Sequence, residues 1–218
     1  MARFMKKQIT CRCCGHTYEA DVLMGLTTDR RVMDLDTNPH DPAVYRQVVQ
    51  CPTCGYAGGY AAAGYDRDVE DRIKALVRGE EYRAMAGSPS EDRTAAALRC
   101  AEYLAEKTGN YQDASYYALL LLWWWKQYGR DEAGLKKVRD RAIRHFEEYL
   151  MDHLDLNGAM ILIDLLRQAK RWDVALQDLS SLEPYIKDNQ PLQRVAAFEK
   201  RLIHEEDHAD HKLSEVDV

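Results

Sequence analysis

The chain has 218 residues, of which 46% are hydrophobic and 30% charged, a composition that excludes disordered and fibrous proteins. Its 30 Lys and Arg against 36 Asp and Glu give a net charge of −6, which argues against broad electrostatic binding to nucleic acid. Residues 1–65 hold 7 basic and 6 acidic residues, so the acidic excess belongs to residues 66–218. The length suits one large domain, or a small domain followed by a medium-sized one.

The N-terminus shows no secretory signal, because the basic residues within 1–10 are not followed by an apolar stretch. The longest apolar run, at 118–125, is far too short to span a bilayer. We therefore expect a cytoplasmic protein without a membrane partner. Structural disulfides are rare in that compartment, so metal binding is the favoured use of the six cysteines.

Two similar hexapeptides, CRCCGH at 11–16 and CPTCGY at 51–56, are the most informative feature of the sequence. Each contains C-x-x-C-G. Two thiolates separated by two residues can reach one metal ion from a tight turn, and the following glycine permits the positive φ of that turn. The spacing predicts a closed zinc site without an open position for catalysis, with these ligands: Cys11, Cys14, Cys51 and Cys54.

Three other interpretations of the motifs compete with zinc: a redox pair, a pair of disulfides, and a site that holds no metal. A redox motif is typically a single CxxC in a βαβ unit, not two copies. Cys13 lacks the two-residue spacing to either neighbour and is interpreted as a bystander, and Cys100 as a small buried residue of a helix. Whether His16 or His40 takes the place of one thiolate as a metal ligand stays open.

The segment around the motifs has the pattern of strands. Residues 17–22 alternate in polarity, residues 44–50 are rich in strand formers, and residues 30–36 give a third candidate strand. The two prolines of 38–42 predict a loop, and the small residues of 58–64 predict a hinge. We therefore expect a small N-terminal β zinc ribbon over residues 1–65, in which two hairpin-like arms carry the cysteine motifs.

The apolar residues change to a helical period after residue 65. The pattern predicts about seven helices joined by short turns, over residues 66–85, 91–107, 111–128, 131–152, 157–170, 172–182 and 191–203. Ser90 is the expected N-cap of the helix at 91–107. The expected fold class is α+β and mostly α, with a helical domain over 66–218 that ends in an acidic, solvated C-terminal tail. The tail is acidic because Glu and Asp outnumber basic residues there.

Two predicted turns look alike, because Tyr111 and Trp172 each stand three residues before an alanine. Tetratricopeptide (TPR) repeats have a similar arrangement between their two helices, so we expect a TPR-like bundle. The separation of 61 residues departs from the repeat period of about 34, and Lys170 stands where the first turn has a glycine. A plain helical bundle is the alternative.

The tryptophans at 123–125 cannot share one helix face, because adjacent helical residues point about 100° apart. We interpret them as a core seam between helix layers, with a partner or dimer patch as the alternative, so homo-oligomer formation stays open. In the tail, His204, Glu205 and His208 spell HExxH, with His211 as a conceivable third ligand. Its place in an acidic tail favours coincidence over a second metal site.

The motifs together resemble an uncharacterised bacterial family, a domain-of-unknown-function group with a zinc-ribbon-like start and TPR-like helices. The resemblance rests on the first CxxCG, the insert, the CPxCGYA and the Trp-rich helix, in these residues: Cys11, Cys14, Asn38, Pro39, Tyr45, Cys51, Pro52, Cys54, Gly55, Tyr56 and Ala57. The first motif departs from the family at Arg12, where Pro is common, and at Cys13. The resemblance implies this architecture in a bacterial cytoplasmic protein and implies no activity.

Three functions remain at this stage, and the sequence favours a non-enzymatic zinc protein that acts as a protein–protein interaction scaffold. A nucleic-acid-associated ribbon is the alternative, and it requires seven basic residues to gather on one face: Arg3, Lys6, Lys7, Arg12, Arg30, Arg31 and Arg46. An enzyme is the third, but the sequence has no phosphate loop and no nucleophile elbow.

Overall fold

The computed structural model describes residues 2–26, 42–59, 66–87, 92–129 and 131–216. Within these ranges the chain forms two small antiparallel sheets and then eight α-helices, so the predicted class, α+β and mostly α, is confirmed. The helices are α1 Arg67–Arg78, α2 Glu80–Ala86, α3 Arg93–Thr108, α4 Tyr111–Tyr128, α5 Glu132–Asp152, α6 Leu156–Gln168, α7 Trp172–Ile186 and α8 Gln190–His204.

Each sheet is one hairpin, and each cysteine motif occupies the turn of a hairpin. Strand β1 (Ala2–Thr10) pairs with β2 (Thr17–Leu26), and β3 (Val48–Gln50) pairs with β4 (Ala57–Gly59). The predicted strand at 17–22 lies inside β2. The pattern did not indicate β1, because basic and apolar residues mix on both of its faces instead of alternating.

The predicted strand at 44–50 is correct only for its last three residues, because Pro42–Gln47 is a short 3₁₀ helix. Val44 and Tyr45 are adjacent and both buried, which a helical turn packed against the core allows and a half-buried strand does not. The predicted strand at 30–36, nearly all of the predicted loop and most of the predicted hinge lie outside the described residues, as does Ser90.

The helix boundaries follow capping chemistry. The expected helix at 66–85 is two helices, because Gly79 takes an extended conformation with ψ 151° between α1 and α2. Helix α4 has the predicted bounds. Five helices begin at an acidic or amide side chain that accepts a backbone N–H of the first turn: Asp92, Asn110, Asp131, Asp155 and Asn189.

One hydrophobic core joins the second hairpin to the helices. Val48 and Ala57 of that hairpin belong to the same buried cluster as Leu98 of α3 and the apolar run of α4. Residues 118–122 are all buried, so α4 is surrounded and its leucines have no solvent face. The tryptophans at 123–125 are partly buried and pack against this core. The division into domains 1–65 and 66–218 stays a prediction.

The two look-alike turns have the same backbone geometry. Gly109 has φ 79° and Lys170 has φ 61°, and each N–H bonds to the carbonyl three residues earlier. The next residue in each turn bonds to the carbonyl five residues earlier, which completes a Schellman C-cap. Ala114 and Ala175, one turn into the following helices, are fully buried. Lys170 therefore takes the left-handed conformation that the first turn gives to glycine.

Replacement of Lys170 by Gly should raise the free energy of unfolding by about 0.5–1 kcal/mol, because glycine adopts a positive φ without steric cost. Gly109→Ala should lower it by about 1–2 kcal/mol, although a Cβ there meets nothing within 4 Å. Urea denaturation measures both. The control is Lys136→Gly inside α5, which should lose about 1 kcal/mol, and equal losses in all three variants would contradict the assignment.

The C-terminal segment is anchored to the helices at a few points, while more than half of its residues between 205 and 216 are exposed to solvent. Fully buried Arg167 of α6 donates from Nη1 to the carbonyls of Asp207 and Ala209, at 2.7 and 2.9 Å. Lys126 of α4 forms an ion pair with Asp210, and Val216 is buried beside α8. The segment docks because a guanidinium has donors for backbone carbonyls as well as for carboxylates.

Arg167 also contacts two buried carboxyl groups. Its Nη2 donates to Asp164 Oδ1 at 2.5 Å, and its Nε donates to Glu199 Oε2 at 2.8 Å. Gln168 donates to the other oxygen of Asp164, whereas Glu199 Oε1 has no partner in the described part of the chain. Burial, and then the charge of Asp164, raise the pKa of Glu199 to about 8. Glu199 therefore retains a proton at neutral pH.

This pKa predicts that stability falls as the pH rises from acid to neutral. The folded pKa lies above the ordinary value of 4.5, so the stabilising proton is fully present below about pH 4.5 and is lost as pH rises through about 8. We expect the free energy of unfolding to fall between about pH 4.5 and pH 8 and then to level off, and Glu199→Gln to flatten that fall. Urea denaturation across this range measures it. Glu183→Gln, on an exposed ion pair, should keep the wild-type slope, and a wild-type slope in Glu199→Gln would refute the assignment.

Candidate metal centre

The two cysteine motifs fold into the same turn. In the first, the N–H of Gly15 bonds to the carbonyl of Cys11, and in the second the N–H of Gly55 bonds to that of Cys51, at 2.8 and 2.9 Å. Both glycines have positive φ, 74° and 78°. The first cysteine of each motif also donates its N–H to the residue after the glycine, at 2.8 Å. The identical hydrogen bonds explain the repeated letters, because each turn directs two thiols to one side.

The four thiols meet at one point between the hairpins. The Sγ atoms of Cys11, Cys14, Cys51 and Cys54 all lie within 4.8 Å of one another. Two distances that cross between the motifs are 3.6 Å, from Cys11 to Cys54, and 3.7 Å, from Cys14 to Cys51. Four thiolates at about 2.3 Å from one ion would have sulfur separations of about 3.8 Å. The spacing is that of a tetrahedral metal site.

Burial is uneven around this cluster. Cys11 and Cys51, the first cysteines of the two motifs, are buried, whereas Cys14 is exposed. No His, Asp or Glu of the described residues joins the four thiols to form a larger ligand set. The arrangement therefore offers a sulfur-only site at the surface of the hairpins, with one side in contact with solvent.

The second motif is fixed to helix α2 by Tyr82, which the sequence did not indicate. The Tyr82 side chain is fully buried. Its hydroxyl donates to the carbonyl of Gly55 at 2.9 Å and accepts from the N–H of Ala57 at 3.1 Å. Burial raises the pKa of Tyr82, so the hydroxyl keeps the proton that it donates. A Cβ on Gly55 would stand 3.0 Å from Ala86 Cβ, so the turn packs tightly against this helix.

The other sequence candidates among the described residues do not belong to the four-thiol cluster. The partly buried Cys13 side chain packs against the hydrophobic core, and Cys100 is buried in α3. The ring of His16 stacks on Tyr18 at 6.2 Å, and its carbonyl closes the first turn. His40 lies outside the described residues.

The HExxH letters do not form a helical motif. His204 is the last residue of α8, and the chain turns at Glu206 with φ 52°. Two histidines at that spacing share a face only while the helix continues. His211 instead bonds to Asp207 and Glu215, at 3.0 and 2.8 Å. The structure thus offers no helical support for a zincin site in this segment.

The basic residues proposed for a nucleic-acid ribbon do not form a single patch in the described residues. Lys6 and Lys7 are neighbours on β1, so they point to opposite faces, and Lys6 pairs with Glu19 at 2.9 Å. Arg46 stacks over the ring of Phe4 at 4.8 Å. Arg30 and Arg31 lie outside the described residues.

Comparison with known proteins gives no relative on which to rest a function. The chain matches no protein-family model, no curated protein and no solved structure. The resemblance to the bacterial family, and the TPR-like character of the helices, remain predictions. Among the described helices, none has both the length and the apolar character required to cross a membrane.

Replacement of Tyr82 by Phe should lower the free energy of unfolding by about 1–3 kcal/mol, because the buried N–H of Ala57 loses the Tyr82 hydroxyl and the carbonyl of Gly55 keeps only Gln50 Nε2, at 3.3 Å. The matched control is Tyr103→Phe, whose hydroxyl bonds to the exposed Glu81 and whose loss should cost at most about 0.5 kcal/mol. Urea denaturation distinguishes the two. Equal effects would show that the Tyr82 hydroxyl does not support the turn.

Proposed function

We propose that the chain is a non-enzymatic zinc protein in which one structural zinc ion joins two hairpins and fixes them against a helical scaffold. The observation that carries the proposal is the convergence of four Sγ atoms within 4.8 Å. Thiolate ligands favour zinc, copper(I) and iron–sulfur clusters, and a closed set of four at this spacing suits a single zinc ion.

The donor set argues for a structural ion. Cys11, Cys14, Cys51 and Cys54 would occupy all four positions of a tetrahedral zinc ion, so a water or substrate would have no place on it. The ion would hold together two hairpins, of which the second pairs only the three residues of β3 with the three of β4. Short isolated hairpins are marginally stable, which is the reason to expect a metal here.

The helical part supports the scaffold half of the proposal. Consecutive helices are joined by short turns. The Schellman turn at Gly109 joins α3 to α4, and the one at Lys170 joins α6 to α7. A cleft opens between the second cysteine motif and helices α1 to α3. We infer that the zinc-bound hairpin forms one wall of a docking surface for a macromolecular partner in the cytoplasm.

Zinc analysis tests the metal directly. The purified wild-type chain should contain one zinc ion, and cobalt(II) in its place should give the absorption of a tetrahedral thiolate site. Cys51→Ser should lose about a hundredfold or more in zinc affinity, and the N-terminal hairpins should unfold. The helices should retain most of their circular dichroism, because most of their buried contacts are with one another.

The matched control is Cys13→Ser, which removes a thiol from the same turn without removing a ligand. It should keep the zinc content and the cobalt spectrum of the wild type. Equal loss in both variants, or a wild-type chain that binds no zinc, would refute the assignment of the ligands. Complete loss of helical signal in Cys51→Ser would show that hairpins and helices fold as one unit.

A further inference from the structure

Two clefts in the described part of the chain run together beside the second cysteine motif. The first lies between that motif and α1 to α3 and measures about 1070 Å³. The second lies between the N-termini of α3 and α5 and the end of α4, and measures about 1050 Å³. Both are lined by Tyr45, Arg46 and Thr94, so the two clefts adjoin at these residues. We call the two clefts together the basic groove.

The basic groove has a charge opposite to that of the whole chain. Three acidic residues line the basic groove, against these basic residues: Arg46, Arg78, Arg83, Arg93, Arg99, Lys137 and Arg141. The whole chain, in contrast, has 36 acidic and 30 basic residues. The fold therefore concentrates arginine along one surface.

The acidic residues of the groove are already engaged. Asp92 and Asp131 cap helices and accept the N–H groups of Thr94 and Gly134, at 2.7 and 2.6 Å. Asp21 lies 3.9 Å from Arg46. The positive ends of two helices thus offset two of the three carboxylates.

Four of the basic side chains have no acidic partner among the residues that the structure describes: Arg78, Arg83, Arg93 and Lys137. All four are exposed. Arg141, in contrast, is held by two hydrogen bonds to buried Glu102, at 2.8 and 3.2 Å. Exposed cations without an internal partner, next to fixed ones, are arranged to receive an external anion.

Aromatic rings line the same groove at the end of α4. Trp124 and Tyr128 lie 5.6 Å apart, and Trp124 and Trp125 lie 6.1 Å apart in an edge-to-face arrangement. The side chain of Tyr128 is 44% exposed. Trp125 is packed over Gly134, where a Cβ would come within 2.6 Å of its ring. These rings are therefore held in place by the fold and are partly open to the groove.

We propose that the basic groove binds single-stranded nucleic acid, with the arginines on the phosphates and the rings of Trp124 and Tyr128 against the bases. The proposal rests on the scaffold function above and names its partner. Cations that follow a backbone, combined with rings on which bases stack, are the arrangement by which proteins bind single strands. The net charge does not oppose this, because acidic groups on other faces are screened beyond about 8 Å at physiological salt.

Two features favour a single strand over other anions. An acidic peptide would satisfy the arginines, but it has no planar groups for the exposed rings. A duplex would have to admit a helix or a strand pair into its groove, whereas the basic groove is concave and would itself enclose the ligand. A single strand offers both phosphates and unstacked bases.

Fluorescence anisotropy with the zinc-loaded full chain tests the proposal. The probes are labelled oligouridylate and oligodeoxyuridylate of about 12 nucleotides, which differ only in the sugar and have a length within the range of known single-strand sites. Both should bind at about 50 mM salt and weaken strongly at about 200 mM. Tighter binding of oligouridylate would identify RNA, and equal binding would show that the sugar is not read. Absence of binding to both probes overturns the proposal.

Charge reversal locates the site. Arg83→Glu combined with Arg93→Glu should weaken binding about tenfold or more and reduce the salt dependence of log K by about 1. The control, Lys187→Glu with Lys200→Glu on α7 and α8, changes the net charge equally and should stay within about twofold of the wild type. Equal weakening in both overturns the groove as the site. If circular dichroism shows that the variant with Arg83→Glu and Arg93→Glu is misfolded, Lys137→Glu is measured in its place.

Stacking distinguishes nucleic acid from an acidic partner. Tyr128→Ala should weaken oligonucleotide binding about fivefold or more, and Tyr128→Phe should keep wild-type binding. A labelled polyglutamate of the same length should bind more weakly and be insensitive to Tyr128→Ala. If polyglutamate binds as tightly as the oligonucleotides, the nucleic-acid proposal fails while the scaffold function stands. Zinc content, measured on the same samples, reports separately on the metal.

Discussion

The convergence of four thiols is the constraint on which the N-terminal third of the structure depends. Cys14 and Cys51 are far apart in sequence, and the two hairpins that hold them have few residues of their own to bury. A hairpin of three-residue strands is too short to be stable alone. The thiols bring both turns to one point, Val48 and Ala57 place the second hairpin in the core of the helices, and the buried hydroxyl of Tyr82 bonds its turn to helix α2.

The helical part is organised differently, around a helix that is apolar on every side. Residues 118–122 of α4 are buried, so neighbouring helices must cover them from several directions. Ionisable side chains that are buried in this layered arrangement occur in groups. Glu102 meets Arg141 and His145, and Arg167 meets Asp164 and Glu199. Pairing makes their burial tolerable, and in the case of Arg167 it also fixes the C-terminal segment.

The basic groove shows that the net charge of a chain does not predict the charge of each of its surfaces. Net charge predicted little affinity for nucleic acid, and the basic residues singled out within 1–65 do not form a patch among the described residues. The arginines that do gather come from the short 3₁₀ helix and from α1, α2, α3 and α5, where each taken singly resembles an ordinary solvated side chain. Only packing brings them to one surface, next to the turn of the second cysteine motif and the aromatic end of α4.

The sequence by itself determined the features that are local. C-x-x-C-G requires only a turn with one positive φ, so the four thiols could be named, and the bounds of α4 followed from the pattern of its apolar residues. Tertiary structure decided the rest. The turn at Lys170 adopts a conformation that its side chain disfavours because packed helices impose it, and Arg167 captures a tail whose composition indicates solvation. Capping and turn formation act over a few residues, whereas burial and long-range electrostatics depend on which segments the fold brings together.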